Sequence, residues 1–148
     1  MNRTIVLLLV LLFANAFPLF AQTREDMAGE WVGYITQKPR GLAERYHFRL
    51  NLEVDGDELV GEAQISMEDS THIWGVMDLV GEWDPEGTVE FRELGIKRQN
   101  LWSYAYWCLK DYKLRPNWVK GVLMLNGPWS SGACAGSSGW IHLERRLS

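Results

Sequence analysis

The sequence predicts an all-β protein, and we expect one eight-stranded, antiparallel, up-and-down β-barrel. Apolar and polar side chains alternate along much of the chain, most clearly in "ERYHFRLNLEV" (44–54), which is the period of a strand with one buried face. Turn signals such as "DGDE" (55–58) and "DPEG" (84–87) separate these segments. The eight Trp residues supply the large aromatic core of a sheet protein.

Eight segments read as strands. Hairpin-length connections favour an up-and-down barrel, which also removes exposed sheet edges, and a two-sheet β-sandwich is the alternative. Segment 101–114 is aromatic on both faces, so its pattern does not show which face is inside. "GIKRQN" (95–100) is expected to break the pattern, and "PN" (116–117) to turn the chain. The predicted strands are 29–37, 44–54, 58–67, 72–83, 88–94, 101–114, 118–127 and 139–146.

The first 21 residues resemble a secretory signal peptide. A basic residue, Arg3, precedes an apolar run from residue 5 to 13, and small residues follow it. Cleavage after Ala16 or Ala21 fits this layout, and cleavage after Ala21 leaves a mature chain with the more polar N-terminus. An N-terminal membrane anchor is the alternative, but the uninterrupted run is shorter than the roughly 20 residues of a span. We therefore expect residues 1–21 to be a signal peptide, residues 22–148 to form one barrel domain, and the protein to be periplasmic or secreted.

The net charge of the chain limits the classes of partner that it is suited to bind. Without Arg3 the chain carries 14 basic and 19 acidic residues, a net charge of −5. No basic block interrupts this mildly acidic chain, which argues against binding nucleic acid or anionic membrane surfaces. We expect no membrane span after removal of the signal peptide.

The two cysteines, Cys108 and Cys134, predict one disulfide. An exported protein matures in an oxidising space, where an even cysteine count most simply gives a bridge. The alternative is a reactive thiol, but neither cysteine has a basic residue or His directly beside it.

No pattern indicates a metal, a cofactor or a catalytic set. The three histidines are not at metal-ligand spacing, and His47 and His142 alternate with apolar neighbours, which places them on wet faces. A Gly-x-Ser-x-Gly elbow and a phosphate loop are both missing from the sequence. We therefore expect no metal, no cofactor and no catalytic residues.

Glu93 is the most informative carboxylate, because it falls in register with Val89 and Phe91 on an apolar face. A buried carboxylate must be paired or protonated. One interpretation is a polar anchor in a ligand cavity, or a general acid. The simpler interpretation, which we favour, is that the strand ends at Arg92 and Glu93 emerges at the barrel rim.

Aromatic residues on the inward faces either line a pocket or fill the core. An eight-stranded barrel is just wide enough for side chains to fill it or for one small ligand. Trp129 belongs to this aromatic group. The residues predicted to contact a ligand are Tyr46, Phe48, Phe91, Glu93 and Trp107.

The chain resembles the calycins, the small barrels that include lipocalins and avidins. The resemblance rests on Gly29-Glu30-Trp31 at the start of the first strand, and on Lys110-Asp111-Tyr112, which is similar to a Thr-Asp-Tyr-type motif. It implies that Trp31 plugs one end of the barrel under Arg145 or Arg146. It also implies a cavity that captures a small, often apolar ligand.

Three functions follow as hypotheses. The first is an exported, non-catalytic barrel that binds a small apolar or aromatic ligand in an interior cavity of a few hundred Å³. The second is a solid barrel that binds a protein partner through outward aromatics, namely Trp74, Trp102, Tyr104 and Tyr106. The third, an enzyme, lacks a visible nucleophile–base or paired-carboxylate set.

Overall fold

The structure, a computed structural model, describes residues 24–147 and confirms the predicted fold class. The predicted signal peptide lies outside the described residues. A short helix precedes eight strands, and no helix of the described range is long and apolar enough to cross a membrane. The elements are α1 (Arg24–Met27), β1 (Gly29–Thr36), β2 (Arg45–Asp55), β3 (Glu58–Met67), β4 (Trp74–Trp83), β5 (Val89–Asn100), β6 (Asp111–Val119), β7 (Val122–Ser130) and β8 (Ser138–Arg145).

Each strand pairs antiparallel with the next, and β8 pairs with β1 to close the barrel. Tight turns join β2 to β3, β4 to β5 and β6 to β7 at one end, which we call the hairpin end. The longer connections 37–44, 68–73, 101–110 and 131–137 lie at the opposite end, which we call the loop end. The two ends therefore differ in how much irregular chain covers them.

The predicted alternation is confirmed in β2, where every second side chain from Tyr46 to Leu52 is buried and those between are exposed. The same period on the other strands places Leu, Ile, Met and aromatic side chains inside the barrel. Because an eight-stranded barrel is narrow, these side chains form a packed core.

The largest difference from the sequence prediction concerns β5 and β6. Segment 95–100 continues β5, and residues 101–110 form a loop instead of the start of a strand. Two irregularities, around Leu94 and Lys97, interrupt the pairing of β5 with β4. Each inserted residue moves the following side chains to the opposite face. The alternation is therefore lost from the sequence although the strand continues.

The predicted turn at "PN" is also wrong, because Pro116 lies within β6. Beyond Leu114, β6 has no pairing partner on β5, so a residue without an N–H loses no ladder bond on that side. The turn instead lies at Lys120 and Gly121, whose φ angles are 49° and 80°. Two positive φ values are typical of the tight hairpin turn that matches strand twist.

The predicted disulfide is confirmed. Cys108 and Cys134 are bonded, with their Cα atoms 5.7 Å apart. The bond joins loop 101–110 to loop 131–137 and therefore ties together two of the four connections at the loop end.

Candidate functional site

A buried ion pair lies inside the barrel near the loop end. Glu93 Oε2 accepts hydrogen bonds from the backbone N–H of Lys110 at 2.9 Å and from Lys110 Nζ at 3.4 Å. The Tyr112 hydroxyl donates to Glu93 Oε1 at 3.2 Å. Only 3% of the Lys110 side chain and none of the Glu93 side chain is exposed. The prediction that Glu93 emerges at the rim is therefore wrong, because β5 runs on past it.

Burial controls the titration of this cluster. Removal from water raises the pKa of Glu93, and the nearby Lys110 ammonium and the hydrogen bonds offset only part of that rise. The pKa of Tyr112 is raised well above its usual value, first by burial and then by the negative charge of Glu93. Both groups therefore favour their neutral forms more than they would in water.

Lys110 is the charged residue of this cluster that reaches the surface of a small recess at the loop end. Its Nζ donates to the Cys108 carbonyl at 2.9 Å and lies 5.8 Å from the centre of the Trp129 ring. Glu93 and Tyr112 do not line the recess. The recess therefore presents an ammonium group, with the carboxylate behind it.

Aromatic side chains form the walls of the recess, among them Tyr46, Tyr106, Trp107 and Trp129. Its volume is about 50 Å³, well below the few hundred Å³ of ordinary ligand pockets. A single water needs about 10–15 Å³ measured in this way, so the recess admits only a few non-hydrogen atoms. The expected large interior cavity is therefore replaced here by packed side chains.

Trp107 fills the space that a ligand would take. Its ring meets Tyr46 edge-on at 5.8 Å and packs on the backbone of Gly75. A Cβ atom at Gly75 would lie 2.6 Å from Trp107 Cδ1. The indole N–H is buried without a hydrogen-bond partner among residues 24–147, which costs about 1–3 kcal/mol. The indole is thus seated tightly by shape but carries an unsatisfied donor.

Residues that follow Trp107 hold it in place. Cys108 is tied to Cys134, and the Leu109 carbonyl accepts a hydrogen bond from the Ser131 hydroxyl at 2.6 Å. A backbone hydrogen bond from the Glu93 N–H to the Lys110 carbonyl, at 3.0 Å, adds a tether to β5. The second half of loop 101–110 is therefore held both by loop 131–137 and by β5.

The structure divides the predicted ligand contacts into two groups. Tyr46 and Trp107 line the recess. Phe48 and Phe91 pack against Tyr112, with ring centres 6.0 and 5.6 Å away, and Glu93 lies behind Lys110. All five are buried, but the geometry does not bring them together around one open space.

Trp31 lies inside the barrel near the hairpin end and is fully buried, as expected. Its Nε1 donates to the Met27 carbonyl at 2.9 Å, so α1 lies across this end. Arg145 is its cross-strand partner on β8 and donates to the Asp26 carbonyl. The exposed Arg146 side chain instead lies near Glu30. Of the two arginines considered, Arg145 is the one beside Trp31.

Exposed apolar side chains lie on loop 101–110 and on the adjoining end of β5. We call Leu94, Ile96, Trp102, Tyr104 and Tyr106 the aromatic patch; their exposed fractions are 59%, 40%, 40%, 76% and 73%. Trp102 and Tyr104 stack with ring centres 5.8 Å apart and an interplanar angle of 10°. Tyr106 belongs to both the patch and the wall of the recess. Trp74, also predicted on the outer face, is half-buried in β4.

A larger hollow, of about 680 Å³, lies over the outer faces of β4 to β7. Four of its charged side chains form ion pairs, since Arg92 lies 3.4 Å from Asp111 and Lys113 lies 3.5 Å from Glu90. Within the described range, no three or more His, Cys, Asp or Glu side chains are grouped to hold a metal ion. The recess with its buried ion pair is therefore the better candidate site.

Comparison with family models, with curated proteins and with solved structures finds no match to this chain. The resemblance to calycins therefore rests on the eight-stranded up-and-down barrel and on the short motifs, and membership in that group is not shown.

Sequence reasoning identified Glu93 but missed Lys110 and Tyr112 as its partners. The signal was present, because an apolar-face carboxylate requires a partner and Lys110-Asp111-Tyr112 is a polar interruption after an aromatic run. Locating the partners required the position of β6, which the sequence placed ten residues too early.

Proposed function

We propose that the protein is a non-catalytic binding protein that works at the loop end of its barrel, and that its main ligand is a protein partner. The observation that carries this proposal is the aromatic patch beside a filled interior. Interface centres are enriched in Trp, Tyr and other large apolar side chains. A group of large exposed apolar side chains, two of them stacked on each other, is typical of an interaction surface.

We further propose that the protein acts after export, in the periplasm or outside the cell. The N-terminal pattern and the disulfide support this location. Mass spectrometry of the protein from its own host tests it, because export predicts a mature chain that begins near Gln22 with its cysteines oxidised. A full-length chain with free thiols would contradict the proposal.

The partner proposal is tested with a photo-cross-linking amino acid at Tyr104 and, as a matched control, at Trp118. Trp118 is 51% exposed but lies at the hairpin end. We expect one discrete cross-linked partner from position 104 and none from 118. Replacing Trp102 and Tyr106 by Ser should abolish the cross-link without unfolding the exposed loop. Equal capture at both positions would show that the patch is not a specific surface.

A second candidate function is the binding of a small ligand in the recess. The specific observation is the ion pair of Glu93 and Lys110 beneath the aromatic walls, because a buried ion pair is often no more stabilising than packed hydrophobic residues. A carboxylate with a shifted pKa beside a recess also suggests a functional site. Native mass spectrometry of protein from its host tests this. A retained small molecule would add mass to the protein, and Trp129→Ala should lower the fraction of protein that carries it.

Catalysis receives no support from this geometry. Glu93 lies beside Tyr112, but neither residue lines the recess. A substrate in the recess would not reach a proton on either group. Proton transfer needs a positioned group within hydrogen-bond reach of the reacting atom.

A further inference from the structure

We propose that the recess binds the carboxylate of a small organic acid, which lies on Lys110 while Glu93 takes up a proton. This inference rests on the second candidate function, small-ligand binding in the recess. It adds the chemical class of the ligand and the response of the ion pair behind it.

The recess carries a positive charge in its lining. Lys110 is the charged side chain in its lining. An ammonium group has three hydrogens to donate, and two acceptors are in place, the Cys108 carbonyl at 2.9 Å and Glu93 Oε2 at 3.4 Å. The contact with Glu93 is longer than the 2.7–2.9 Å typical of a charge-assisted hydrogen bond. Lys110 therefore has donor capacity for an anion from the recess side.

The size of the recess also favours a small anionic group. A volume of about 50 Å³ admits a few non-hydrogen atoms, and a carboxylate has three. The rest of the ligand would extend past Tyr106, which is 73% exposed, and would contact its ring. The recess therefore suits the head group of an acid better than a whole apolar molecule.

A bound anion would change the balance of charge between Lys110 and Glu93. A ligand carboxylate on Lys110 would place a second negative charge near Glu93, away from water. Like charges at close range favour protonation of one of them. Lys110 in the loop and Tyr112 on β6 are the charged or titratable groups that act on Glu93, and its partner on β4, Leu79, does not titrate. Glu93 is thus the group that takes a proton from the buffer.

The test uses benzoate and its neutral counterpart benzyl alcohol as probes. Calorimetric titrations near neutral pH, in buffers of different ionisation enthalpy, give both affinity and proton uptake. We expect benzoate to bind about tenfold more tightly than benzyl alcohol, with measurable net proton uptake of up to one proton per ligand. Stronger binding of benzyl alcohol, or binding of benzoate without proton uptake, would overturn the inference.

Three variants separate the roles of the residues. Glu93→Gln should bind benzoate without proton uptake, because the amide imitates the protonated acid. Lys110→Met combined with Glu93→Gln should lose the preference for benzoate while leaving no unpaired buried charge. Lys113→Met, which removes a half-exposed lysine, should behave as the unmodified protein.

These measurements distinguish failure of small-ligand binding in the recess from failure of protein-partner binding at the aromatic patch. If neither probe binds, the recess is not a small-ligand site and the inference falls with it. Partner capture through Tyr104 would be unaffected by that result. If both probes bind equally and the double variant changes neither, the recess binds ligands but does not select acids.

Discussion

At the scale of single residues, the main feature of the barrel interior is a pair of opposite charges, Glu93 and Lys110. Both side chains are almost completely buried, and the main offset to the cost of burying each charge comes from the other. Breaking such a pair by removing one partner is typically costly, whereas replacing both by apolar groups is often neutral. The pair therefore acts as a unit, and its titration should be visible in the stability of the whole protein.

The first prediction concerns the pH dependence of stability. Burial raises the pKa of Glu93 above its usual 4.5. Its contribution to stability is therefore complete below that pH and is lost as pH rises through the folded-state pKa. Glu93→Gln cannot lose a proton. The free energy of unfolding of the unmodified protein, minus that of Glu93→Gln, should fall as pH rises from about 4 to 8.

Urea unfolding at a series of pH values measures this difference. Glu90→Gln, which changes an exposed carboxylate on the same strand, is the control and should show no comparable trend. A constant difference for Glu93→Gln across the range would show that Glu93 keeps the same charge in the folded and unfolded protein.

The second prediction concerns Gly75, against which Trp107 packs. A Cβ atom there would lie within 2.7 Å of two indole atoms, so Gly75→Ala should displace the ring. We expect a loss of about 1–3 kcal/mol in the free energy of unfolding, as for other overpacked cores, together with a more accessible indole. Gly95→Ala is the control, since a Cβ there meets no atom within 4 Å.

Chemical denaturation and acrylamide quenching of Trp fluorescence measure the two effects. If Gly75→Ala and Gly95→Ala behave alike, Trp107 does not rest on Gly75 in solution.

At the scale of elements, loop 101–110 explains why the sequence prediction succeeded for the fold and failed for this part of the site. Regular alternation and turn residues located six strands, β1 to β4, β7 and β8, to within four residues at each end, because these segments largely alternate between a buried and a wet face. In loop 101–110, Trp107 is buried although it belongs to no alternating pattern, and the aromatic side chains of the patch are exposed. The composition of the loop resembles that of a strand. Because β5 continues through two bulges, however, the chain rejoins the sheet only at β6.

The open edge of β5 next to this loop also shows how the molecule avoids unwanted pairing. From Leu94 to Asn100, β5 pairs with β4 but not with β6. Bulges and charged side chains are the usual protection for such an edge, and both are present at Lys97. Strand addition at this edge is therefore disfavoured, which leaves the side chains of the aromatic patch as the binding feature.

At the scale of the whole molecule, the disulfide restricts the unfolded chain as well as the loop end. It closes a segment with a sequence separation of 26 residues, which includes the whole of β6 and β7. Replacing both cysteines by Ser should lower the free energy of unfolding by about 3 kcal/mol.

Urea unfolding of the double variant, compared with the unmodified protein under reducing conditions, checks this value. The two should agree, because both lack the bond. Unchanged stability in the double variant would mean that the bond does not restrict the unfolded chain.

The pairing of β1 with β8 has a consequence for the connectivity of the chain. Trp31 lies opposite Arg145, and the Arg146 N–H donates to the Glu30 carbonyl at 2.9 Å, so the two ends of the barrel sequence are neighbours. A short linker would join them without disturbing any strand. New termini opened at the exposed Gly56 turn should then give a circularly permuted protein with the same barrel, whose circular dichroism and unfolding midpoint would report whether the chain order matters.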